Sequence, residues 1–250
     1  SVIEDAISKG LSIINGLHDE LALKYKNSLI LDQWIWDVRT PQFTPPIATG
    51  KALNINNKRI LCVGSDMASG KMTTSLELFE WAKKNNIKSS FIATGQIGIT
   101  VTGKGIPLDA YKVDHACGAV EKMVLEESKS DWVFIEGQGS LLHPGSTATL
   151  PLMRGSCATH LILCHRADLT NLRPPVEHVK IPHLNEVIKL NESLSRACGI
   201  FSKTKVVGIS LNTVKLDLVS AKNKRIKINM LTKEMEKLIK ENIDLDLILT

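Results

Sequence analysis

The chain has 250 residues, of which 43% are hydrophobic and 4% aromatic, and a formal net charge of +5 at pH 7. This length and hydrophobic content are enough for one large α/β domain with an additional segment. No apolar run reaches the ~18 residues of a membrane-spanning helix and no signal-peptide pattern is present, so we expect a soluble, cytoplasmic protein without a membrane partner. Nucleic-acid surfaces combine a broad basic stripe with stacking aromatic side chains, whereas much of the local basic excess here sits in Lys222, Lys224, Arg225 and Lys227, so we expect no nucleic-acid partner.

The first 55 residues are expected to form a separate segment. Residues 1–27 carry apolar side chains at helical spacing, interrupted by glycines, and predict one or two short helices. Residues 29–38 predict a strand, and three prolines within residues 40–50 predict an irregular linker. Because the helical pattern is already under way at Ser1, with no initiator methionine, we interpret residues 1–55 as the remainder of an N-terminal domain with its linker, and residues 56–250 as the main domain.

Strand and helix patterns alternate through the main domain. The predicted strands are residues 60–63, 89–93, 132–135, 161–164 and 206–211. The predicted helices are residues 73–85, 109–127, 183–198 and 231–242, and glycines at positions 98, 103 and 105 predict a loop. This alternation predicts an α/β fold with a doubly wound, mainly parallel sheet, in which ligands bind at the carboxyl ends of the strands.

The segment between the first of these strands and its helix has the composition of a phosphate-binding loop. Its glycines allow successive backbone N–H groups to face an anion, the helix N-terminus adds partial positive charge, and Lys71 supplies a point charge for the terminal phosphates. Met72 stands where Ser or Thr usually holds magnesium, so that role passes to Thr73 or Thr74 or is absent. The loop residues are Gly64, Ser65, Asp66, Met67, Ala68, Ser69, Gly70, Lys71, Met72, Thr73 and Thr74.

Three ionisable residues in this region are candidates for chemistry. Glu136 ends an apolar strand, as does the acid of the second nucleotide-binding motif of P-loop proteins, where a carboxylate holds magnesium or polarises a nucleophile. His143 lies seven residues further on and has the side chain of a general base. Asp66 is a candidate for cation contact. A turn-stabilising role for the two acids and a solvated loop position for the histidine are the alternatives.

Five further polar residues lie at or near strand ends and are candidates for substrate binding. Arg154, Arg166 and Arg173 have the side chain that binds a carboxylate in a bidentate manner. Gln96 and Asn212 follow strands directly and could orient polar groups of a substrate.

Together these motifs resemble the P-loop domain of a family of bacterial and archaeal proteins that includes a D-glutamate N-acetyltransferase. The resemblance extends over about residues 1–215 and is carried by the phosphate-binding loop and by residues 93–96, 136–140, 143–144 and 163–165. It implies a P-loop nucleoside-triphosphate-hydrolase-like core, preceded by the tail of a Rossmann-like N-terminal domain. It also implies acetyl transfer from acetyl-CoA to the amine of D-glutamate.

The resemblance implies roles for the candidate residues. Acetyl transfer needs a base that deprotonates the ammonium group and donors that stabilise the thioester oxyanion. Glu136 or His143 would be the base, and Lys71 or the loop N–H groups would hold the pyrophosphate of CoA or the oxyanion. An arginine would bind the carboxylates of the amino acid.

Two other functions remain open. The spacing of Gly64, Asp66, Gly70 and Lys71 also resembles that of dethiobiotin synthetase, which uses ATP and magnesium but has a threonine directly after the lysine. This resemblance implies an ATP-dependent ligase or kinase-like enzyme in which Lys71, Thr73 and Glu136 hold Mg-ATP. The third function is a non-catalytic nucleotide-binding switch. For any of these functions, the chain could also form a homo-oligomer.

Overall fold

The structure is a computed structural model that describes residues 1–30, 32–220 and 222. The predicted helix at residues 231–242 lies outside the described residues. Within the described ranges, no helix combines the length and the apolar character needed to cross a bilayer.

The N-terminal segment contains a small parallel sheet of its own. Its elements are helix α1 (Val2–Ser8), strand β1 (Ile13–Asn15), helix α2 (Leu21–Lys24), a 3-10 turn (Lys26–Ser28) and strand β2 (Ile35–Asp37). The Asp37 carboxylate joins the sheet to α2, because it accepts hydrogen bonds from the amide of Ala22 at 2.8 Å and from the side chain of Asn15 at 2.7 Å.

The sequence prediction for this segment was only partly right. The helices at residues 1–27 are confirmed in α1 and α2, but the strand β1 between them was missed. The strand predicted at residues 29–38 is confined to β2. A three-residue strand is too short to show the alternation that identifies a strand. The apolar residues of β1 were therefore counted as part of the helical pattern of residues 1–27.

A five-stranded parallel sheet forms the centre of the main domain. The strands are β3 (Lys58–Gly64), β4 (Ser89–Ile92), β5 (Trp132–Ile135), β6 (His160–Arg166) and β7 (Lys205–Asn212). Their spatial order is β4-β5-β3-β6-β7, with every neighbouring pair parallel, which confirms the predicted sheet. The central strand is β3, so the loop that follows it lies between the ends of β5 and β6.

Helices cover both faces of this sheet. The helices are α3 (Lys71–Lys84), α4 (Gln96–Thr102), α5 (Val113–Glu126), α6 (Thr149–Ser156) and α7 (Leu184–Arg196), and 3-10 turns lie at Lys51–Asn54, Leu108–Ala110 and Ala197–Gly199. Along β3, Leu61 and Val63 pack in the same apolar cluster as α5, α6 and α7, whereas Ile60 and Cys62 pack in the cluster of α3, as the alternation of strand side chains requires.

Two helices depart from the sequence prediction. The predicted loop beginning at Gly98 is in fact helix α4, in which Gly98 provides close packing and Gly103, at φ +76°, ends the helix. Helix α6 was not predicted because it contains Pro151 and Gly155. Proline is tolerated there because it lies in the first turn, where the backbone N–H has no partner within the helix.

The proline-containing segment at residues 40–50 is irregular, as predicted, but it is packed against α5. The amide of Thr49 donates a hydrogen bond to the Glu121 carboxylate at 2.7 Å. Gly118 lies directly beneath the segment, and a β-carbon at this position would be 1.7 Å from the carbonyl oxygen of Pro46. The linker is therefore held on the main domain by backbone contact.

Replacing Gly118 with alanine tests this packing. Alanine in a helix normally stabilises by about 1 kcal/mol relative to glycine, but here the new methyl group must displace the Pro46 carbonyl. We expect the free energy of unfolding, measured by urea titration, to fall by about 1–3 kcal/mol. The control Glu126→Ala, at an exposed position of the same helix, should change it by less than about 0.5 kcal/mol. A G118A protein as stable as the wild type would contradict the packing.

Candidate functional site

The phosphate-binding loop lies between β3 and α3 and is wound tightly over Gly64. A β-carbon on Gly64 would lie 2.6 Å from the hydroxyl of Ser69 and 2.8 Å from Nζ of Lys71. Gly70, at φ +104°, closes the loop in a conformation that favours glycine, and α3 begins at the next residue. Lys71 Nζ donates to the carbonyl oxygen of Asp66 at 3.0 Å and to Ser69 Oγ at 3.4 Å. The ammonium group is thus held against its own loop.

Lys71 is 5% exposed, and this burial determines its electrostatics. Burial lowers the pKa of its ammonium group, while nearby thiols and the carboxylates of Asp66 and Glu136 act in the opposite direction. A poorly solvated cation loses little hydration when an anion binds to it. The lysine is therefore suited to hold a phosphate group.

Asp66 connects the loop to the segment that follows β6. Its carboxylate accepts hydrogen bonds from the amide of Met67 at 2.7 Å and from the amide of Arg173 at 2.9 Å. Both donors are backbone groups, so the geometry favours a turn-stabilising role for Asp66 over cation contact.

Glu136 lies at the end of β5, beside Lys71, and is only 3% exposed. Its Oε2 atom accepts hydrogen bonds from the amides of Thr94 at 2.8 Å and Gly95 at 3.1 Å, and Gln138 donates to Oε1 at 3.3 Å. Burial raises the pKa of Glu136, although the two backbone donors and Lys71 act to lower it. The result is a carboxylate that is more basic than usual and lies next to the phosphate-binding loop.

Glycines allow this close arrangement. A β-carbon on Gly137 would lie 1.7 Å from the carbonyl oxygen of Cys62 and 3.0 Å from Cδ of Lys71, and one on Gly98 would lie 2.3 Å from Oε2 of Glu136. The end of β5 and the first turn of α4 can therefore both approach the centre of the site only without side chains at these positions.

His143 is buried, and one hydrogen bond determines its tautomer. Its Nδ1 atom lies 3.1 Å from the backbone amide of Gly145, which can only donate. Nδ1 therefore carries a lone pair, and in the neutral ring the proton lies on Nε2. In this arrangement Nε2 is a hydrogen-bond donor, whereas a general base would need a lone pair there.

The two threonines after the lysine differ in accessibility. Thr73 is exposed, whereas the Thr74 hydroxyl lies 2.8 Å from the hydroxyl of Ser210 on β7. Thr73 is therefore the accessible hydroxyl of the pair. In the described parts of the chain, no group of three or more His, Cys, Asp or Glu side chains is placed to hold a metal ion.

The two amide candidates lie in different surroundings. Gln96 begins α4 and contacts the N-terminal segment, because its Cγ lies 3.4 Å from where a β-carbon on Gly16 would be. The Asn212 Nδ2 atom lies 3.8 Å from the corresponding position on Gly70. The structure thus places Asn212 beside the phosphate-binding loop and Gln96 against the N-terminal segment.

The three arginine candidates are not equivalent. Arg166 forms a bidentate ion pair with Asp168, at 3.1 and 2.7 Å. Arg154 lies in α6 and donates to the carbonyl oxygen of Leu194 at 2.9 Å, so it joins two helices instead of facing the loop. Arg173 has an exposed side chain, and its backbone lies beside Asp66.

Three residues of the site, Ser140, His165 and Thr94, were missed as individual candidates. Ser140 donates from its hydroxyl to the carbonyl oxygen of Gly64 at 3.0 Å, and the Ser65 hydroxyl lies 2.8 Å from Nδ1 of His165. Thr94 binds the end of β5 with both its amide and its hydroxyl. Each follows or ends a parallel strand, and that position is the signal that could have identified it.

Comparison with known proteins gives consistent matches. The family model described as "Domain of unknown function (DUF1611_C) P-loop domain" matches residues 46–236. A D-glutamate N-acetyltransferase from Pseudoalteromonas sp. is 37% identical over 217 residues, which cover 85% of this chain and 64% of that protein. Another D-glutamate N-acetyltransferase, from Tritonibacter scottomollicae, is 36% identical over 216 residues, covering 85% and 63%. The chain therefore spans less than two thirds of the length of these relatives.

A solved structure is also similar. The crystal structure of a DUF1611 family protein from Anabaena variabilis superposes with a TM-score of 0.85 at 48% sequence identity, covering 89% of this chain and 65% of that one. At this identity the similarity extends to the sequence as well as the fold.

The burial of Glu136 predicts how stability depends on pH. Because burial raises the pKa of Glu136 above its unfolded value, ionisation destabilises the folded state as the pH rises through the folded pKa, and this penalty is absent below the unfolded pKa. Glu136→Gln keeps an oxygen for the two amides and removes the charge. The difference in the free energy of unfolding between E136Q and the wild type should therefore favour the variant more at pH ~8 than at pH ~4. Urea unfolding of both proteins at each pH measures this difference.

The control is Glu80→Gln, a half-exposed residue of α3 whose ion pair with Lys83 lies on the surface. It should show no comparable trend with pH. If the stability advantage of E136Q grew as the pH fell, the carboxylate would be stabilised in its charged form, contrary to the argument.

Proposed function

Because the chain belongs to the DUF1611 P-loop family, we propose that it is an N-acetyltransferase that transfers the acetyl group of acetyl-CoA to the amine of an acidic amino acid. Two relatives bear the name D-glutamate N-acetyltransferase, and D-glutamate is the proposed acceptor. The observation that carries the proposal is the juxtaposition of an anion-binding loop with a buried carboxylate of raised pKa, in Lys71 and Glu136. The loop fits the nucleotide part of CoA and the carboxylate fits a base.

The phosphate-binding loop is the proposed site for the pyrophosphate of CoA. Backbone N–H groups of residues 68–70, the start of α3 and the Lys71 ammonium group offer several donors to one anion. The tight winding over Gly64 and the poorly solvated state of Lys71 support this role. Asn212, beside the loop, and Gln96, at the start of α4, are proposed to contact polar groups of the substrates.

Glu136 is the proposed base. The acceptor nitrogen can attack only after its ammonium group loses a proton, which the Glu136 carboxylate accepts. The amine then attacks the thioester carbon and a C–N bond forms. As the C–S bond breaks, the thiolate of CoA leaves and takes up the second proton that the nitrogen loses. Lys71 or the Nε2–H group of His143 is proposed to stabilise the oxyanion formed in between.

This assignment places a requirement on the bound conformation of CoA. Lys71 and Glu136 are neighbours, whereas the pantetheine arm separates the pyrophosphate from the thioester by more than a dozen bonds. The arm must therefore fold back towards the β5 side of the loop. Its single bonds permit this, at the entropic cost of fixing them.

A second candidate is an ATP-dependent ligase or kinase-like enzyme, which the accessible hydroxyl of Thr73 favours. Thr73 and Glu136 would then hold magnesium, and Lys71 would hold the triphosphate. The two proposals differ in their products: CoA and an N-acetyl amino acid in one case, inorganic phosphate or ADP in the other.

Two variants test the acetyltransferase proposal. Lys71→Ala should weaken acetyl-CoA binding by about tenfold or more, since a charged hydrogen bond contributes about 1.5–3 kcal/mol, as measured by calorimetry. Glu136→Gln should lower kcat by about 100-fold or more through loss of the base, with acetyl-CoA affinity nearly unchanged. The acid limb of the wild-type pH profile should lie above the ordinary carboxyl pKa, because burial raises the pKa of Glu136.

The control for both variants is Lys83→Ala, at the exposed end of α3, which should leave binding and turnover unchanged. Turnover is followed by release of CoA thiol and by mass spectrometry of the N-acetyl product from D-glutamate. Magnesium-dependent phosphate release from ATP without acetyl transfer would replace this proposal with the ligase.

A matched pair of variants tests the role of His143. The side-chain oxygen of Asn can replace Nδ1 and accept from Gly145, whereas the side-chain nitrogen of Gln can replace Nε2–H as a donor. If His143 acts as a donor, His143→Gln should retain activity within about tenfold and His143→Asn should lose more, since one oxyanion donor contributes about 100-fold or more to kcat. Equal and severe loss in both variants, with the fold intact by melting temperature, would restore His143 as the base.

A further inference from the structure

A charged cleft of about 380 Å³ opens beside the phosphate-binding loop. Its walls come from the segment that follows β6 and from the chain just after β7, and we call it the cationic cleft. The residues used in the argument below are Arg166, Asp168, Arg173, Glu177 and Lys215, all of which line it.

The cleft is attached directly to the phosphate-binding loop. The backbone amide of Arg173 donates to the Asp66 carboxylate at 2.9 Å, so one wall of the cleft is fixed to the first turn of the loop. Because β6 and β7 lie on one side of β3 and β5 on the other, the cleft and Glu136 lie on opposite sides of the loop.

Two cations of the cleft are available to a ligand, although the charge of Lys215 also contributes, after that of Arg166, to lowering the pKa of Asp168. Arg166 is already neutralised by its bidentate pair with Asp168. In the part of the chain that the structure describes, the side chains of Arg173 and Lys215 form neither an ion pair nor a hydrogen bond. Glu177, the remaining acid of the lining, can only accept hydrogen bonds when ionised, and an adenine amino group or a ribose hydroxyl can donate them.

On the β5 side of the loop, two glycines pack tightly against the side chains of Gln138 and Glu136. A β-carbon on Gly95 would lie 2.3 Å from the side-chain nitrogen of Gln138, and one on Gly98 would lie 2.3 Å from Glu136. If Glu136 is the base, the thioester must reach this side. The opposite end of the same molecule must then leave the loop towards β6 and β7, where the cleft begins.

We propose that the cationic cleft binds the adenosine end of coenzyme A, with Arg173 and Lys215 contacting its 3'-phosphate. This inference rests on the proposed acetyl transfer and specifies how the donor substrate is chosen. In the nucleotide half of the molecule, the 3'-phosphate is the group that CoA has and that ADP and ATP lack. It carries close to two negative charges, which the two cations match. The cleft thereby selects CoA over the more abundant adenine nucleotides.

The test compares CoA with 3'-dephospho-CoA, which differs only in that phosphate. Calorimetry on the full chain should show that the wild type binds CoA at least about tenfold more tightly, the effect of one or two charged hydrogen bonds. The double variant Arg173→Gln with Lys215→Gln should lower CoA affinity to that of 3'-dephospho-CoA and leave the latter within about threefold. Lys180→Gln, an exposed lysine on the same segment, should keep the full preference.

Each outcome separates this inference from the proposed function. If the wild type binds both CoA forms equally, or if the double variant keeps the preference, the cleft does not recognise the 3'-phosphate, while acetyl transfer can still stand. If the wild type binds neither form but binds ADP, the proposed acetyl transfer fails and this inference fails with it. Arg173 and Lys215 are exposed, so the variants should fold, which unchanged melting temperatures would verify.

Discussion

The arrangement of the site depends on the hydrogen bonds that the buried carboxylate of Glu136 accepts. The carboxylate joins the ends of β4 and β5, because the amides of Thr94 and Gly95 both donate to it, and it places a negative charge beside Lys71. Removing a carboxylate from water is costly unless donors replace the lost hydration. Here two backbone donors do so, and the first turn of α4 excludes water from the other side. The same contacts leave no room for side chains at Gly95 and Gly98.

The phosphate-binding loop is fixed from the opposite side by three polar contacts. Ser65 lies within hydrogen-bond distance of His165, Asp66 binds the amide of Arg173, and Thr74 lies within hydrogen-bond distance of Ser210. Each contact joins the loop or α3 to β6, to β7 or to the segment that follows β6. A loop held at both sides keeps its N–H groups in place before a ligand arrives, so little ordering has to occur on binding. The contact between Asp66 and Arg173 also fixes one wall of the cationic cleft.

The sequence predicted the parallel sheet, the phosphate-binding loop and most helices, because each has a local pattern. It could not predict features that depend on distant contacts. Glycine at position 98 indicates a loop in the sequence, whereas in the structure it is required because Glu136 occupies the space that a side chain there would need. The tautomer of His143 depends on a hydrogen bond from Gly145 that no spacing reveals. The linker at residues 40–50 was correctly identified as irregular, but its contact with Gly118 follows only from the fold.

The loop itself bears on which nucleotide it holds. It retains the glycines and the lysine that bind an anion, yet Met72 occupies the position from which a hydroxyl usually holds magnesium. A triphosphate needs the charge of a metal ion for phosphoryl transfer, whereas a pyrophosphate that only anchors a thioester needs charge neutralisation alone. Lys71 supplies part of that charge, and Arg173 with Lys215 can supply the rest at the other end of the nucleotide. The missing hydroxyl after Lys71 and the neighbouring cationic cleft therefore support the proposal of CoA as the ligand over that of Mg-ATP.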